Sequence, residues 1–299
     1  MTSIPINFVG TFNLGLPMGD ICQSEIKKQL FEMKFRYIMV LFGFLSISSK
    51  VSGQVDLQQS FRECSIKGST TIYDYKNQYW IYSDSLDAQK LSLPASTFKI
   101  INLLIALEIK VIKDENEVIK WVGKTDTTLY GYRPEIYKDM TVREAFEVSA
   151  GWVFIELAKK IGKKNYTKYL NACRYGNLDL SMKDTDFWNF GRFGISPQNQ
   201  VIFLKAVYEE KLPFSKRNYE ILKRVMIVEK TNDYTIRAKT GWTRDGGIDS
   251  GWWVGYVESR ENTYFFATRI SKKRSESNPN FGQCRKTITK TILKQMNAI

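Results

Sequence analysis

The sequence contains no histidine among its 299 residues, and this absence excludes more than any other feature of its composition. A Ser-His-Asp triad needs an imidazole base, so that form of nucleophilic catalysis is excluded. Catalytic zinc sites rest heavily on imidazole ligands, so we predict no metal site. Acid–base chemistry in this chain must therefore use lysine, glutamate, aspartate, tyrosine or cysteine side chains.

Cysteine is scarce as well. The four cysteines, Cys22, Cys64, Cys173 and Cys284, form no Cys-x-x-Cys pair and no cluster with ligand-like spacing. We interpret them as structural or incidental residues and predict no disulfide framework.

Positive charge exceeds negative charge by 13, since the chain has 44 Lys and Arg residues and 31 Asp and Glu residues. The basic residues are spread along the chain, whereas nucleic-acid-binding proteins concentrate them in patches. We therefore predict no nucleic-acid partner, and a basic surface that favours anionic substrates. The hydrophobic content of 43% is enough for one large domain or for two lobes with a shared core.

The N-terminal region predicts an export signal. A short basic stretch begins at Met33 and precedes an apolar run of about a dozen residues, which is too short for a membrane span. Small residues up to Gly53 offer a cleavage site. We predict that 1–32 is an upstream extension of the gene model and that 33–53 is a signal peptide. The alternative for this region is an uncleaved amphipathic anchor.

Removal of that signal would leave a chain with no stable membrane span. We therefore predict a secreted protein, located in the periplasm of a Gram-negative bacterium.

Strand signals lie at the two ends of the mature chain. Runs of β-branched and aromatic residues, separated by turn residues, predict five strands. Two are early and three are late: 70–74, 79–82, 234–239, 250–258 and 263–270.

Helix signals occupy the middle of the chain. Thr141 begins a Thr-x-x-Glu capping box, and Ser196 precedes a proline as a helix cap does. Gly162 is placed to end a helix over 152–161. A last helix is predicted from about 286 to 297.

These elements predict an α/β protein of the α+β type, in which an antiparallel sheet is flanked by helices and an all-helical lobe is inserted. We predict one catalytic domain over 54–299. Its sheet lobe comprises about 54–95 and 230–299, and its helical lobe about 96–229. A cleft between two such lobes is a usual place for a site.

The strongest chemical signal is the Ser-x-x-Lys spacing of Ser96 and Lys99, just before the apolar segment 100–107. Residues three apart share a helix face, so the hydroxyl and the amine can point into one cavity. The apolar segment predicts a buried helix, and burial lowers the pKa of a lysine from about 10.4. A neutral amine beside a hydroxyl can act as a general base. The alternative is a capped helix whose lysine reaches water.

A second signal is Lys239, Thr240, Gly241 and Trp242 on a predicted late strand. The small threonine and glycine let a ligand approach the strand edge, and the lysine adds a positive charge beside it. Ser-x-x-Lys and Lys-Thr-Gly together are the motif pair of β-lactamases and penicillin-binding proteins.

Over residues 60–297 the sequence resembles the class D β-lactamases, or oxacillinases. The ordered motifs PASTFK, SAGW, YGN, KTGW and GWWVGY carry this resemblance, and YGN stands where class A enzymes have SDN. The family joins an α/β lobe to a helical lobe, the penicillin-binding-protein arrangement, which agrees with the order of elements predicted above.

The resemblance implies a role for each matching residue. Ser96 is acylated by the β-lactam ring, and Lys99 reacts with CO2 to form a carbamate that is the base in acylation and deacylation. Trp188 hydrogen-bonds this carbamate, and Ser149 relays a proton to the departing nitrogen. No other cofactor is implied. Without the resemblance, Trp188 would be interpreted as a core residue.

The resemblance also implies a substrate-binding set. Lys239, Thr240 and Arg285 hold the substrate carboxylate, and the backbone N–H groups of Ser96 and Trp242 form an oxyanion hole. By itself, Arg285 would be interpreted as a solvated surface residue at the head of the last helix.

One residue departs from the family pattern. Gly151 stands where the second motif usually has a valine, which in the family packs over the modified lysine. Its absence either widens the pocket, admitting water or a larger substrate, or weakens the carbamate.

The expected function is hydrolysis of small-molecule β-lactam antibiotics. Two alternatives share the scaffold. A cell-wall transpeptidase or carboxypeptidase would acylate equally well but release penicillins slowly, and a β-lactam sensor domain would follow several membrane segments.

Overall fold

The computed structural model describes residues 56–299, and the structural statements below concern this part of the chain. The predicted extension over 1–32 and the predicted signal peptide over 33–53 lie outside the described residues. Among the helices of 56–299, none has both the length and the apolar character needed to span a bilayer.

The strands form one large sheet and one small ribbon. In chain order they are β1 (Lys67–Asp74), β2 (Tyr79–Tyr82), β3 (Val118–Ile119), β4 (Met140–Thr141), β5 (Ile227–Lys230), β6 (Tyr234–Asp245), β7 (Ile248–Ser259) and β8 (Thr263–Lys273). Strands β3 and β4 make the ribbon. The other six make an antiparallel sheet in the order β2-β1-β8-β7-β6-β5.

All five predicted strands are present, and the antiparallel sheet is confirmed. Strand β6 continues beyond the predicted end at residue 239, because it stays paired with β7 as far as Asp245. Strand β5 was not predicted. It lies at the sheet edge with mostly exposed side chains, so its sequence shows no alternation of buried and exposed residues.

The helices lie mainly between the early and the late strands, as predicted. They are α1 (Gln59–Glu63), α2 (Lys99–Glu108), α3 (Thr127–Tyr130), α4 (Val142–Glu147), α5 (Gly151–Ala172), α6 (Phe187–Phe190), α7 (Pro197–Tyr208), α8 (Lys216–Val225) and α9 (Phe281–Gln295).

Two predicted helix starts and one break are confirmed. The Thr141 and Ser196 side chains each accept a backbone N–H at 3.1 Å, which caps α4 and α7. Helix α5 is interrupted at Gly162, whose φ of 74° and ψ of 155° are not helical. Only glycine adopts such a conformation readily.

The predicted start of the last helix is wrong. Helix α9 begins at Phe281 rather than at residue 286, because the buried Phe281 ring packs on Trp242, with the ring centroids 4.8 Å apart. Arg285 therefore lies inside this helix and not at its head.

The expectation that the cysteines form no disulfide is also wrong. Cys64, just after α1, is bonded to Cys284 on α9 across 220 residues of sequence. The pairing depends on contact between the first and the last helix of the described residues, which no local sequence spacing indicates. Cys173 is free and buried.

Helix α2 confirms the prediction of a buried helix behind the Ser-x-x-Lys motif. Every residue of this helix except Glu108 is buried, including its first residue, Lys99. The helix packs against α5 and α8. Lys99 is therefore held at the buried start of this helix.

The Cys64–Cys284 disulfide is expected to stabilise the folded protein, so its reduction should lower the free energy of unfolding. We expect the variant carrying both Cys64→Ser and Cys284→Ser to lose about 2–4 kcal/mol of unfolding free energy, because a disulfide that closes a long loop restricts the unfolded chain. Urea unfolding with and without dithiothreitol measures this loss. The control, Cys173→Ala, should keep the wild-type sensitivity to dithiothreitol. Equal stability of the oxidised and reduced wild-type protein would contradict the prediction.

Candidate active site

A cleft of about 430 Å³ opens between strand β6 and the helical part of the chain. It contains most of the site residues predicted from sequence. Those that line it are Ser96, Lys99, Ser149, Thr240, Gly241, Trp242 and Arg285.

Ser96 and Lys99 are in direct contact. Ser96 lies in the 3₁₀ turn Ala95–Phe98, and residues three apart are eclipsed in such a turn. The Lys99 Nζ donates to Ser96 Oγ at 2.8 Å. The predicted contact is present, although the turn rather than an α-helix makes it.

The Lys99 amine is almost completely removed from water, with 1% of the residue exposed. Burial lowers its pKa from 10.5 to about 7, and the positive charge of Arg133 adds to this effect. A large fraction of this amine is therefore neutral near pH 7, as a general base requires.

Lys239 is a second buried amine in the same site. Its Nζ donates to Ser149 Oγ at 3.0 Å, which joins the Lys-Thr-Gly strand to the second motif. Burial lowers the pKa of Lys239 well below its usual value, and the charge of Lys99 lowers it further. Ser149 has a φ of 59°, an uncommon backbone conformation for a serine that is often associated with functional sites.

Strand β6 has no neighbouring strand where it faces the Ser96 turn. Strand β5 covers β6 only as far as Arg237, so the following residues have no strand partner on that side. A Cβ atom at Gly241 would lie 2.8 Å from the Pro94 carbonyl oxygen. Glycine therefore allows the strand to lie directly against the turn that carries Ser96.

Arg285 belongs to the site and not to the surface. Its Nη1 donates to the Gly241 carbonyl, and only 9% of the residue is exposed. Burial lowers its pKa from 12.5 to about 10. Its Nε is buried and has no hydrogen-bond partner within residues 56–299. Local sequence alone predicted that Arg285 is a solvated surface residue, and that prediction is wrong.

Trp188 lies behind the cleft and does not line it. Its ring stacks on Phe98, with centroids 4.8 Å apart and planes 7° from parallel. Only 1% of the residue is exposed. Since Phe98 immediately precedes Lys99, Trp188 supports the backbone of the Ser-x-x-Lys turn.

Gly151 lines the cleft at the start of α5. A Cβ atom built there would have no other atom within 4 Å. The space that a larger side chain would fill is therefore open at this wall of the site.

Sequence reasoning missed Arg133, which lines the cleft and lowers the pKa of Lys99. A lone arginine in a loop carries no motif signal. The YGN motif has a structural role in this fold, because Tyr175 is fully buried and the Asn177 side chain accepts the Gly194 N–H at 3.0 Å.

Within residues 56–299, no group of three or more acidic or cysteine side chains could hold a metal ion. The chemistry that these residues offer is nucleophilic attack by Ser96, with cations placed to bind an anionic substrate.

Comparisons with known proteins first give the broad class. Residues 57–294 match the family described as the penicillin-binding protein transpeptidase domain. The chain is 38% identical over 260 residues to the β-lactamase OXA-48 of Klebsiella pneumoniae, which covers 87% of this chain and 94% of the relative.

Two solved structures narrow the class. A class D β-lactamase of Sebaldella termitidis is 45% identical, with a TM-score of 0.77 over 83% of this chain and 98% of that one. The class D β-lactamase YbXI of Nostoc is 35% identical, with a TM-score of 0.77 over 82% of this chain and 100% of that one. The chain belongs to the class D β-lactamases, within the penicillin-binding protein transpeptidase family.

The lowered pKa of Lys99 predicts a stability effect with a defined pH dependence. Below pH 7 the amine is protonated in the folded and unfolded states, so the folded protein bears the full cost of burying a charge. That cost disappears as pH rises from about 7 towards 10.5. We expect Lys99→Met to be more stable than wild type at pH 6, by on the order of 3 kcal/mol, with a smaller gap at pH 9.

Urea unfolding in CO2-free buffer at several pH values measures this gap. Lys160→Met, which replaces an exposed lysine, is the matched control and should show no pH-dependent gap. A Lys99→Met variant that is less stable than wild type at every pH would refute the prediction.

Proposed function

We propose that this protein hydrolyses β-lactam antibiotics through an acyl-enzyme on Ser96, with Lys99 as the general base. The observation that carries the proposal is the 2.8 Å contact between the Lys99 amine and the Ser96 hydroxyl. The amine has a pKa near 7 and can therefore take the hydroxyl proton at neutral pH. Ser96 Oγ then attacks the lactam carbonyl, and the C–N bond of the four-membered ring breaks.

The departing nitrogen needs a proton when the ring opens. Ser149 is the donor in this scheme, because its hydroxyl contacts Lys239 at 3.0 Å and can be resupplied with a proton from that amine. The unusually low pKa of Lys239 makes proton transfer from its ammonium form easier.

Negative charge develops on the carbonyl oxygen during attack. The backbone N–H groups of Ser96 and Trp242 are the proposed donors. Their elements are held together by the close approach of Gly241 to Pro94.

The substrate carboxylate is assigned to the basic end of the cleft. Lys239, Thr240 and Arg285 are its proposed partners, and Arg285 is fixed there by its bond to the Gly241 carbonyl. Since both cations are buried, their attraction for a carboxylate is weakly screened by water.

We further propose that Lys99 carries a CO2-derived carbamate. The surroundings fit such a group, because only a neutral amine attacks CO2 and burial keeps this amine largely neutral. The indole N–H of the neighbouring Trp188 can donate but not accept, which suits an anionic partner. When present, the carbamate would replace the free amine as the base that takes the Ser96 proton, and it would also activate the water that releases the acyl group. The positive charges of Arg133 and Lys239 offset its negative charge.

Transpeptidase and sensor functions are not favoured, because the named relatives are class D β-lactamases. The open space at Gly151 also favours hydrolysis, since deacylation needs room for a water molecule beside the acyl group.

Export to the periplasm is part of the same proposal. The Cys64–Cys284 disulfide supports it, because disulfides persist mainly in oxidising compartments. The named relatives include enzymes of Gram-negative bacteria.

Replacement of the nucleophile or the base tests the mechanism. We expect Ser96→Ala to show no mass increase after incubation with benzylpenicillin, because no hydroxyl remains to form the ester. Lys99→Ala should lose nitrocefin turnover by about 10³-fold, in the range expected for a general base. The control is Lys160→Ala, at an exposed lysine. Full turnover by Lys99→Ala would show that another group is the base.

Bicarbonate tests the carbamate separately from the serine mechanism. We expect added bicarbonate to raise nitrocefin turnover more at pH 6 than at pH 8, because protonation of Lys99 below pH 7 promotes loss of CO2. Turnover measured across both pH values, with a ¹³C-bicarbonate NMR signal absent in Lys99→Ala, provides the readout. A flat response would exclude the carbamate and leave the acyl-enzyme intact.

A further inference from the structure

Arg133 lies on the wall of the cleft that the helical part of the chain provides. Its Nη2 donates to the Val148 carbonyl at 3.1 Å, one residue before Ser149. Its Nε donates to Glu135 at 2.8 Å. The side chain is 40% exposed, and a guanidinium has five donors, so it can bind a further acceptor from the cleft.

The loop that carries Arg133 is tied down at several points. The Tyr137 hydroxyl accepts the Arg133 backbone N–H at 2.9 Å and donates to the Gly131 carbonyl at 3.1 Å. The Trp152 indole donates to the Ile136 carbonyl at 2.8 Å, which attaches the loop to α5. Arg133 is therefore held in position before a ligand arrives, which reduces the entropy cost of binding.

The cleft holds more positive charge than one substrate carboxylate needs. Arg133, Arg244 and Arg285 line it, and Lys239 lies beside them, whereas Glu147 is the only acidic residue among those that line it in the described chain. These four cationic groups exceed by one the three negative charges of Glu147, a carbamate on Lys99 and one bound substrate carboxylate. The field of the cleft therefore favours a ligand with two negative charges.

The positive groups occupy two different walls. Arg285 is attached to strand β6 through the Gly241 carbonyl, and Arg133 is attached to the helical part through the Val148 carbonyl. In a penicillin, the ring carboxylate and the acylamino side chain lie at opposite ends of the fused rings. A substrate whose ring carboxylate is held near Arg285 can thus extend its side chain towards another wall.

We propose that Arg133 binds an ionised acidic group on the acylamino side chain of the substrate, so that this enzyme prefers β-lactams with two negative charges. The inference rests on the proposed function and names a substrate class for the same cleft. An arginine is suited to this role, because its planar guanidinium binds a carboxylate through two parallel hydrogen bonds.

Benzylpenicillin and carbenicillin are the probes, since carbenicillin differs by one added carboxylate on the side chain. The ratio of their kcat/KM values is measured for wild type, Arg133→Gln and Arg133→Lys at saturating bicarbonate. Any effect of Arg133 on Lys99 changes both substrates alike and cancels in this ratio. Arg260→Gln removes the same charge from the β7–β8 turn and is the matched control.

We expect Arg133→Gln to lower kcat/KM for carbenicillin roughly tenfold more than for benzylpenicillin, as loss of a charge-assisted hydrogen bond would do. Arg133→Lys should keep part of the preference, and Arg260→Gln should keep all of it. Equal losses for the two penicillins, or an unchanged ratio in Arg133→Gln, would overturn the proposal.

Failure of the proposed function gives a different result. If wild type is acylated by both penicillins but never releases them, hydrolysis is excluded, and the ratio of the two acylation rate constants then tests Arg133 in the same way. If neither penicillin acylates Ser96, both proposals are wrong.

Discussion

Burial of the Lys99 amine against the Ser96 hydroxyl is the interaction on which the rest of this site depends. Lys99 is 1% exposed, its amine donates to a neutral hydroxyl at 2.8 Å, and the charged groups that act on it, Arg133 and Lys239, are both cations. Such an environment disfavours the ammonium form. Burial of this amine therefore lowers the stability of the folded protein. It also leaves an amine that can accept a proton at neutral pH.

The surrounding structure holds this unfavourable arrangement in place. Trp188 stacks on Phe98 behind the turn, and the close approach of Gly241 holds β6 against its front. Lys239 joins β6 to Ser149 in the helical part. The Cys64–Cys284 disulfide fixes α9, which carries Arg285, to the start of the described chain. Ser96, Ser149 and Arg285, which line the cleft, therefore lie on separate elements that are joined to one another.

Local patterns in the sequence predicted the features that depend on short spacing. The contact between Ser96 and Lys99, the caps at Thr141 and Ser196, and the break at Gly162 all follow from residues a few positions apart. Features set by packing between distant segments were missed. The disulfide across 220 residues, the burial of Arg285 and the edge strand β5 have no local signature. The roles of Ser149 and Trp188 came from resemblance alone.

The ionisation of Lys99 itself is the most direct test of this account. Protein with ¹³C-labelled lysine side chains can be titrated by NMR in CO2-free buffer, and the Lys99 signal is assigned by its absence in Lys99→Met. A titration midpoint near pH 7 is expected, far below the ordinary lysine value of 10.5. A midpoint near 10 would show that the amine is protonated at neutral pH, and Lys99 could not then be the base that activates Ser96.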